Sequence, residues 1–160
     1  MKIYLVRHGE ADNKRMPEGR HLSDRGREEI NQLAAHIAPL KLEVDYLYHS
    51  DKLRARETAA LLANAFLVKE VLLERQDLSP ESDISPILDE IYALNCDIVL
   101  VGHMPFMGKL LSQLITRTEA TPIAVFRAGS IVCLEQVERE RWAINWMLTP
   151  DLFYQGMLCT

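Results

Sequence analysis

No apolar run in this chain approaches the ~18 residues that a membrane-spanning helix needs. The opening Met-Lys-Ile-Tyr-Leu-Val reaches Arg7 and His8 too soon to form a secretory signal, so neither membrane insertion nor secretion is expected. Cysteine is scarce: Cys96, Cys133 and Cys159 are odd in number, lack metal-ligand spacing and sit among apolar neighbours. They read as reduced thiols, which suits the cytoplasm. There is also no basic run: 18 Lys and Arg stand against 23 Asp and Glu, a formal net charge of -5, which argues against nucleic acid as a partner. Five histidines and three cysteines form no zinc pattern, so no metal is expected. Low-complexity tracts, repeats and linkers are likewise missing.

What is present is an ordinary globular composition, 48% hydrophobic and 26% charged over 160 residues, which predicts one domain spanning 1–160 around one core. Apolar runs alternate with helical stripes. Residues 2–6 read as a buried strand that opens into a loop at Arg7-His8-Gly9. Ser23 is placed to cap a helix with the stripe Ile30, Leu33, Ala34 and Ile37, ended before Pro39. Residues 44–48 form a second candidate strand. A helix is predicted from Ser50, with Ala55, Ala59, Leu62, Ala63 and Phe66 on one face.

After a loop over 77–83, Ile84, Ile87, Leu88 and Ile91 mark another helix. Residues 97–101 read as a fully buried strand ending at Gly102-His103, and Met107, Leu110, Leu111, Leu114 and Ile115 give the next stripe. Segments 131–137 and 142–148 form a closing hairpin, with Trp142 and Trp146 expected on one face because strand side chains alternate. The alternation predicts an α/β fold of three layers, α/β/α, with a mainly parallel central sheet and helices on both faces. Ligands in such sheets bind beyond the carboxyl ends of the strands, where His8 and His103 fall.

Those positions suit phosphoryl transfer. A histidine just past a strand end is held by rigid backbone, and Gly9 leaves a carbonyl that can accept one ring N–H. The other ring nitrogen then keeps its lone pair for attack on phosphorus, forming a covalent phosphohistidine. Without a metal, the phosphoryl oxygens need arginines, whose planar fork matches phosphate. Arg7 and Arg54 are the first candidates, with Arg54 about 100° around its helix from the buried Ala55. His103, ahead of a helix N-terminus, is a candidate donor to a phosphoryl oxygen. Arg20 is a rim candidate and Thr58 a further donor. His21, His36 and His49 are read as surface or rim residues.

The ordered set Arg7-His8-Gly9-Glu10, His21-Leu22-Ser23 with Gly26, the segment from Ser50 through Arg54 to Thr58, and Val101-Gly102-His103-Met104-Pro105 resembles the histidine phosphatase superfamily over nearly the whole chain. Short length, Leu78-Ser79-Pro80 and the ending Trp146-Met147-Leu148-Thr149-Pro150 are most similar to the small bacterial phosphohistidine phosphatases. The resemblance implies a phosphoglycerate mutase-like fold and a cofactor-free, metal-independent hydrolase. It implies His8 as the phosphorylated nucleophile, Arg7 and Arg54 as clamps, His103 as second pocket histidine, and Gly9, Arg20 and Thr58 at the substrate.

The implied partner is a phosphohistidine-bearing phosphorelay protein of the HPt type, and phosphate or sulfate is an expected occupant of the site. His21 stands where that branch often has proline, and His49-Ser50-Asp51 replaces a more usual Ser-Ser-Pro. The general acid of larger members has no clear counterpart, Glu81 and Asp83 being the candidates. A phosphohistidine substrate tolerates that gap, because its ring leaves neutral if the other nitrogen already carries a proton. Two alternatives stay open: a phosphatase of small phosphate esters using Glu81 or Asp83, and a non-catalytic phosphate-binding regulatory module.

Overall fold

The computed structural model describes residues 1–70 and 72–152. Cys159 lies outside them; Cys96 and Cys133 are free thiols. The chain runs through β1 (Lys2–Arg7), α1 (Asp24–Ile37), β2 (Glu43–Val44), β3 (Tyr46–Ser50), α2 (Leu53–Ala63), β4 (Leu67–Val68) and β5 (Leu73–Arg75). It continues through α3 (Ser85–Ala93), β6 (Ile98–Gly102), α4 (Phe106–Thr116), β7 (Ile131–Glu138) and β8 (Arg141–Leu148). No helix among the described residues is long and apolar enough to cross a membrane.

The main sheet has the order β5-β3-β6-β1-β7-β8. β5, β3, β6 and β1 are parallel, while β7 and β8 close the sheet as an antiparallel hairpin. Alternation sorts the side chains of β1 onto two faces. Ile3 and Leu5 meet Ile87 and Ile91 of α3 and Phe106, Leu110 and Leu114 of α4. Tyr4 and Val6 meet Ile30, Leu33 and Ile37 of α1 and Ala55, Ala59 and Leu62 of α2. These are the three layers the sequence predicts. Each large aliphatic side chain buried this way contributes about 1.5–3 kcal/mol, so the two helix pairs are held chiefly by this contact.

Helix α1 starts where its cap dictates. Ser23 Oγ accepts the N–H of Gly26 at 2.9 Å, and the Ser23 N–H in turn reaches the carbonyl of Glu10 at 2.9 Å. Gly26 is required by proximity: a Cβ there would stand 2.1 Å from the Glu10 carbonyl oxygen. The loop after β1 is thus pressed onto the first turn of α1.

Four expectations are corrected. The predicted strand over 44–48 is divided between two sheets, because Asp45 breaks it by binding Asp97 with both its N–H (2.7 Å) and its carboxylate (2.8 Å). Val44 therefore joins β4 in a separate two-stranded sheet, and Tyr46–Ser50 joins the main one. Ser50 ends this strand rather than starting a helix; α2 begins three residues later and stops at Ala63, leaving Phe66 beyond it against Tyr4 at 5.2 Å. His49 is buried within β3, opposite Val101, and is no rim residue. Finally, Cys133 pairs with Trp146 but Leu134 with Ile144, so Asn145 is a bulge that reverses the alternation. Trp142 then packs on the face of α3 and α4, whereas Trp146 packs on the face of α1 and α2, against Tyr4 at 5.9 Å.

Candidate active site

Three parallel neighbours deliver their last residues to one edge of the sheet: Ser50 from β3, His103 just past β6, and His8 just past β1. The backbone there is fastened on both sides. His8 N–H donates to the Gly102 carbonyl at 2.9 Å, and the Gly129 N–H lies 3.0 Å from the His8 carbonyl. The imidazoles of His8 and His103 face each other at 4.9 Å between centroids, tilted by 58°.

The His8 ring is oriented by its own loop: Nδ1 lies 2.7 Å from the Gly9 carbonyl oxygen, which can only accept, so Nδ1 carries the hydrogen and Nε2 the lone pair. Arg54 Nε donates to that Nε2 at 3.3 Å. Burial, followed by the positive charges of Arg54, Arg7 and Arg20, pushes the His8 pKa down to about 4 despite the opposing Gly9 bond. His103, only 1% exposed, is pushed down to about 3 by burial and by the charges of His8, Arg54 and Lys52. Both rings are neutral near pH 7, the state in which a histidine can act as a nucleophile.

Arg54 opens onto a hollow of about 470 Å³ that Arg15, Glu18, Arg20, Asp51 and Lys52 also line. Arg20 is tethered there by Nε to the Asp12 carbonyl at 2.7 Å, and its charge adds to burial in lowering the Arg54 pKa. The rim segment carrying Arg20 is anchored by its neighbour His21, whose ring binds Glu57 of α2 at 2.7 Å and Glu18 at 3.0 Å. Arg7 bears on His8 through its charge but does not line the Arg54 hollow. Its Nη1 donates to the Phe126 carbonyl at 2.7 Å, and it lines a separate hollow with Glu10, Arg25, Glu29, Arg127 and Asp151.

Two expected participants are committed elsewhere. Thr58 is buried, and its hydroxyl hydrogen goes to the Arg54 carbonyl at 2.7 Å, so it is no donor to a bound anion; its oxygen instead accepts the Gly9 N–H at 3.0 Å. Asp83 accepts from both the N–H and the hydroxyl of Ser85 at 2.9 Å, and these bonds hold its pKa below the usual carboxylate value, the reverse of what a general acid needs. Glu81 is exposed and lines neither hollow. No group of His, Cys, Asp and Glu among the described residues is arranged to hold a metal ion.

Sequence reasoning missed the part of Ser50, whose Oγ lies 2.7 Å from His103 Nε2. The signal was available: Ser50 ends the apolar run of β3 as His103 follows that of β6. Lys52 and Asp51 on the Arg54 hollow were missed as well, and only their position two and three residues before Arg54 hinted at them.

The model of the histidine phosphatase superfamily (branch 1) matches residues 3–76, a span that includes Arg7, His8 and Arg54. An uncharacterised protein of Picosynechococcus is 32% identical over 116 residues, 68% of this chain and 70% of that protein. The chain belongs to the histidine phosphatase superfamily. Its fold matches that of the protein histidine phosphatase SixA complexed with tungstate, with a TM-score of 0.84 at 21% identity over 95% of this chain and 99% of the other. The proposed phosphohistidine phosphatase SixA of Agrobacterium tumefaciens gives 0.76 at 24% identity, covering 93% and 98%. Phosphoserine phosphatase of Entamoeba histolytica, a mutant in complex with phosphoserine, gives 0.69 at 15% identity, covering 95% and 98%.

Proposed function

We propose that this protein is a phosphatase that carries the phosphoryl group covalently on His8 and takes it from a phosphohistidine on a phosphorelay protein. The observation that carries this reading is the His8 ring itself: Nδ1 is held by the Gly9 carbonyl while Nε2 faces the Arg54 guanidinium at 3.3 Å. That is the arrangement of a nitrogen nucleophile beside a ready charge for the group it attacks.

In this scheme Nε2 attacks phosphorus, the P–N bond to the substrate imidazole breaks, and that imidazole leaves neutral because its other nitrogen keeps a proton. Phosphorylated His8 still holds its hydrogen on Nδ1, so it is a cationic and therefore good leaving group. Water then attacks phosphorus, the electron pair returns to Nε2, and the water proton stays on the released phosphate. Arg54 and Arg20 offset the charge on the phosphoryl oxygens, Arg7 adds the positive charge that already reaches His8, and no metal or cofactor is invoked. His103 donates to one of those oxygens. Thr58 supports Gly9 from behind.

The state of the candidate acids supports this choice of substrate class. Neither Glu81 nor Asp83 is poised to protonate an alkoxide, which an ester needs more than an imidazole does. The fold of SixA, a protein histidine phosphatase, supports the same choice. The test is to offer purified protein radiolabelled phosphohistidine proteins and a panel of small phosphate esters, with His8→Ala as control. Release from a phosphohistidine protein, lost in His8→Ala, is expected. Ready hydrolysis of esters with no phosphohistidine protein accepted would move the reading to a small-ester phosphatase, and no turnover with no label on His8 would leave a binding module.

A further inference from the structure

Residues 11–22 supply one wall of the hollow of about 470 Å³ onto which Arg54 opens. They are paired as an arm: Ala11 bridges Leu22, the Asp12 N–H donates to the His21 carbonyl at 2.8 Å, and Met16 and Gly19 exchange backbone hydrogen bonds of 3.2 and 3.0 Å. Gly19 makes the tip possible, because its φ of 122° is a conformation that other residues rarely adopt. Arg20 closes the base through the carbonyls of Asp12 and Ala11, and His21 fastens it to Glu57 of α2. The backbone that carries Arg15 is therefore set before a ligand arrives.

The charges lining this hollow do not balance. Its two carboxylates are already engaged: Glu18 is paired with His21 Nε2 at 3.0 Å, and Asp51 takes the Ser79 hydroxyl at 3.0 Å and Lys52 Nζ at 3.2 Å. Three guanidinium groups are left. Arg54 donates to His8, Arg20 donates only to backbone carbonyls, and Arg15 is exposed with no hydrogen bond or ion pair among the described residues. The charges that lower the His8 pKa come from Arg54, Arg7 and Arg20, and these serve a phosphoryl group on His8. Arg15 is the surplus, in a chain whose formal net charge is -5.

We infer that Arg15 reads a second anionic group on the substrate, an acidic side chain next to the phosphohistidine of the partner protein. This rests on the proposed function for the phosphohistidine, and it names the feature by which one phosphohistidine protein is chosen over another. The hollow exceeds what a phosphoryl group fills, so the partner's neighbouring residues enter with it. An Asp or Glu among them is drawn in by Arg15, whereas a Lys or Arg at that place is repelled.

The test is a pair of fluorescent peptides in which a hydrolysis-stable phosphonotriazole replaces phosphohistidine, flanked on each side by two glutamates or by two glutamines, bound to the full chain at low salt. Wild type should bind the glutamate peptide about fivefold more tightly, the scale of one exposed ion pair, and the preference should fade as salt screens it. Arg15→Gln should bring the two affinities close together, and Arg15→Glu should reverse their order. The readout is a ratio within one protein, so a general loss of affinity in a variant does not imitate it. Equal binding of the two peptides by wild type, or a preference undiminished in both variants, overturns the inference while leaving phosphohistidine binding in place. A glutamate preference in a protein that releases no phosphate sinks the proposed turnover and leaves this inference standing; binding of neither peptide sinks both.

Discussion

The buried hydroxyl of Thr58 accepts the backbone N–H of Gly9 at 3.0 Å, which ties the second turn of α2 to the loop that holds His8. Because the same hydroxyl donates to the Arg54 carbonyl, one side chain links the nucleophile loop to the turn that presents its guanidinium. Thr58→Val keeps the shape and removes the acceptor, leaving the Gly9 N–H buried and unpaired at a cost of about 1–3 kcal/mol. We expect a lower urea midpoint with an unchanged slope, and a kcat reduced about tenfold or more as His8 loses its alignment. Full activity in a destabilised variant would show that Thr58 supports the fold alone.

The two site histidines predict an acid-labile protein. Both have folded-state pKa values, about 4 and about 3, below the ~6.5 of an unfolded histidine. The unfolded chain therefore binds more protons as pH falls below ~6.5, and stability declines by about 1.4 kcal/mol per pH unit for each ring until its folded pKa is reached. The contribution is complete above ~6.5 and lost toward pH 3–4. His21 acts with the opposite sign, because Glu57 and Glu18 raise its pKa and favour the charged ring. NMR titration of the ring protons checks all three: His8 and His103 should stay neutral at pH 5 while His21 titrates above its ordinary value. A His8 that titrates near pH 6.5 would contradict the account of its burial.

Gly26→Ala should be far more harmful than an alanine inside a helix normally is. Helix propensity favours alanine over glycine by about 1 kcal/mol. Here the added Cβ meets backbone at 2.1 Å, so α1 must part from the Glu10 segment. A net loss of roughly 2–3 kcal/mol is expected from such overpacking, read by thermal or urea unfolding. A neutral or stabilising result would mean that the two segments are not in contact.

The pair Glu81→Gln and Asp83→Asn distinguishes the substrate classes. Loss of a working general acid lowers turnover by about 10²–10⁴-fold. On a phosphohistidine protein the double variant should show no such fall, and its visible effect should be a weaker start to α3, since Asp83 accepts from Ser85 there. A fall of that size on small esters would restore one of these carboxylates to the mechanism.

Local chemistry made much of this legible. Ser23 announces the start of α1 because capping needs only residues a turn apart, and the apolar runs ending at Arg7 and Gly102 mark two buried strands whatever lies beside them. Elements that depend on partners were not legible. β4 and β5 are two and three residues long and partly exposed, and they exist because β2 and β3 offer them backbone. The bulge at Asn145 left no mark in the pattern, so Trp146 was assigned to the wrong face. Burial of His49 depends on β5 and β6 flanking β3.

The order of residues dictates which groups exist and how each is presented: a histidine followed by a glycine carbonyl at a strand end, an arginine in the first turn of a helix, and a second histidine ahead of another helix. Tertiary structure decided which of them meet. The order β3-β6-β1 sets Ser50, His103 and His8 side by side, turns Arg54 toward His8 and Arg7 toward Phe126, and gives Thr58 a supporting task. The reason is that hydrophobic periodicity is read within one element, whereas strand order arises from burying both faces of the sheet at once, and no single segment contains that information.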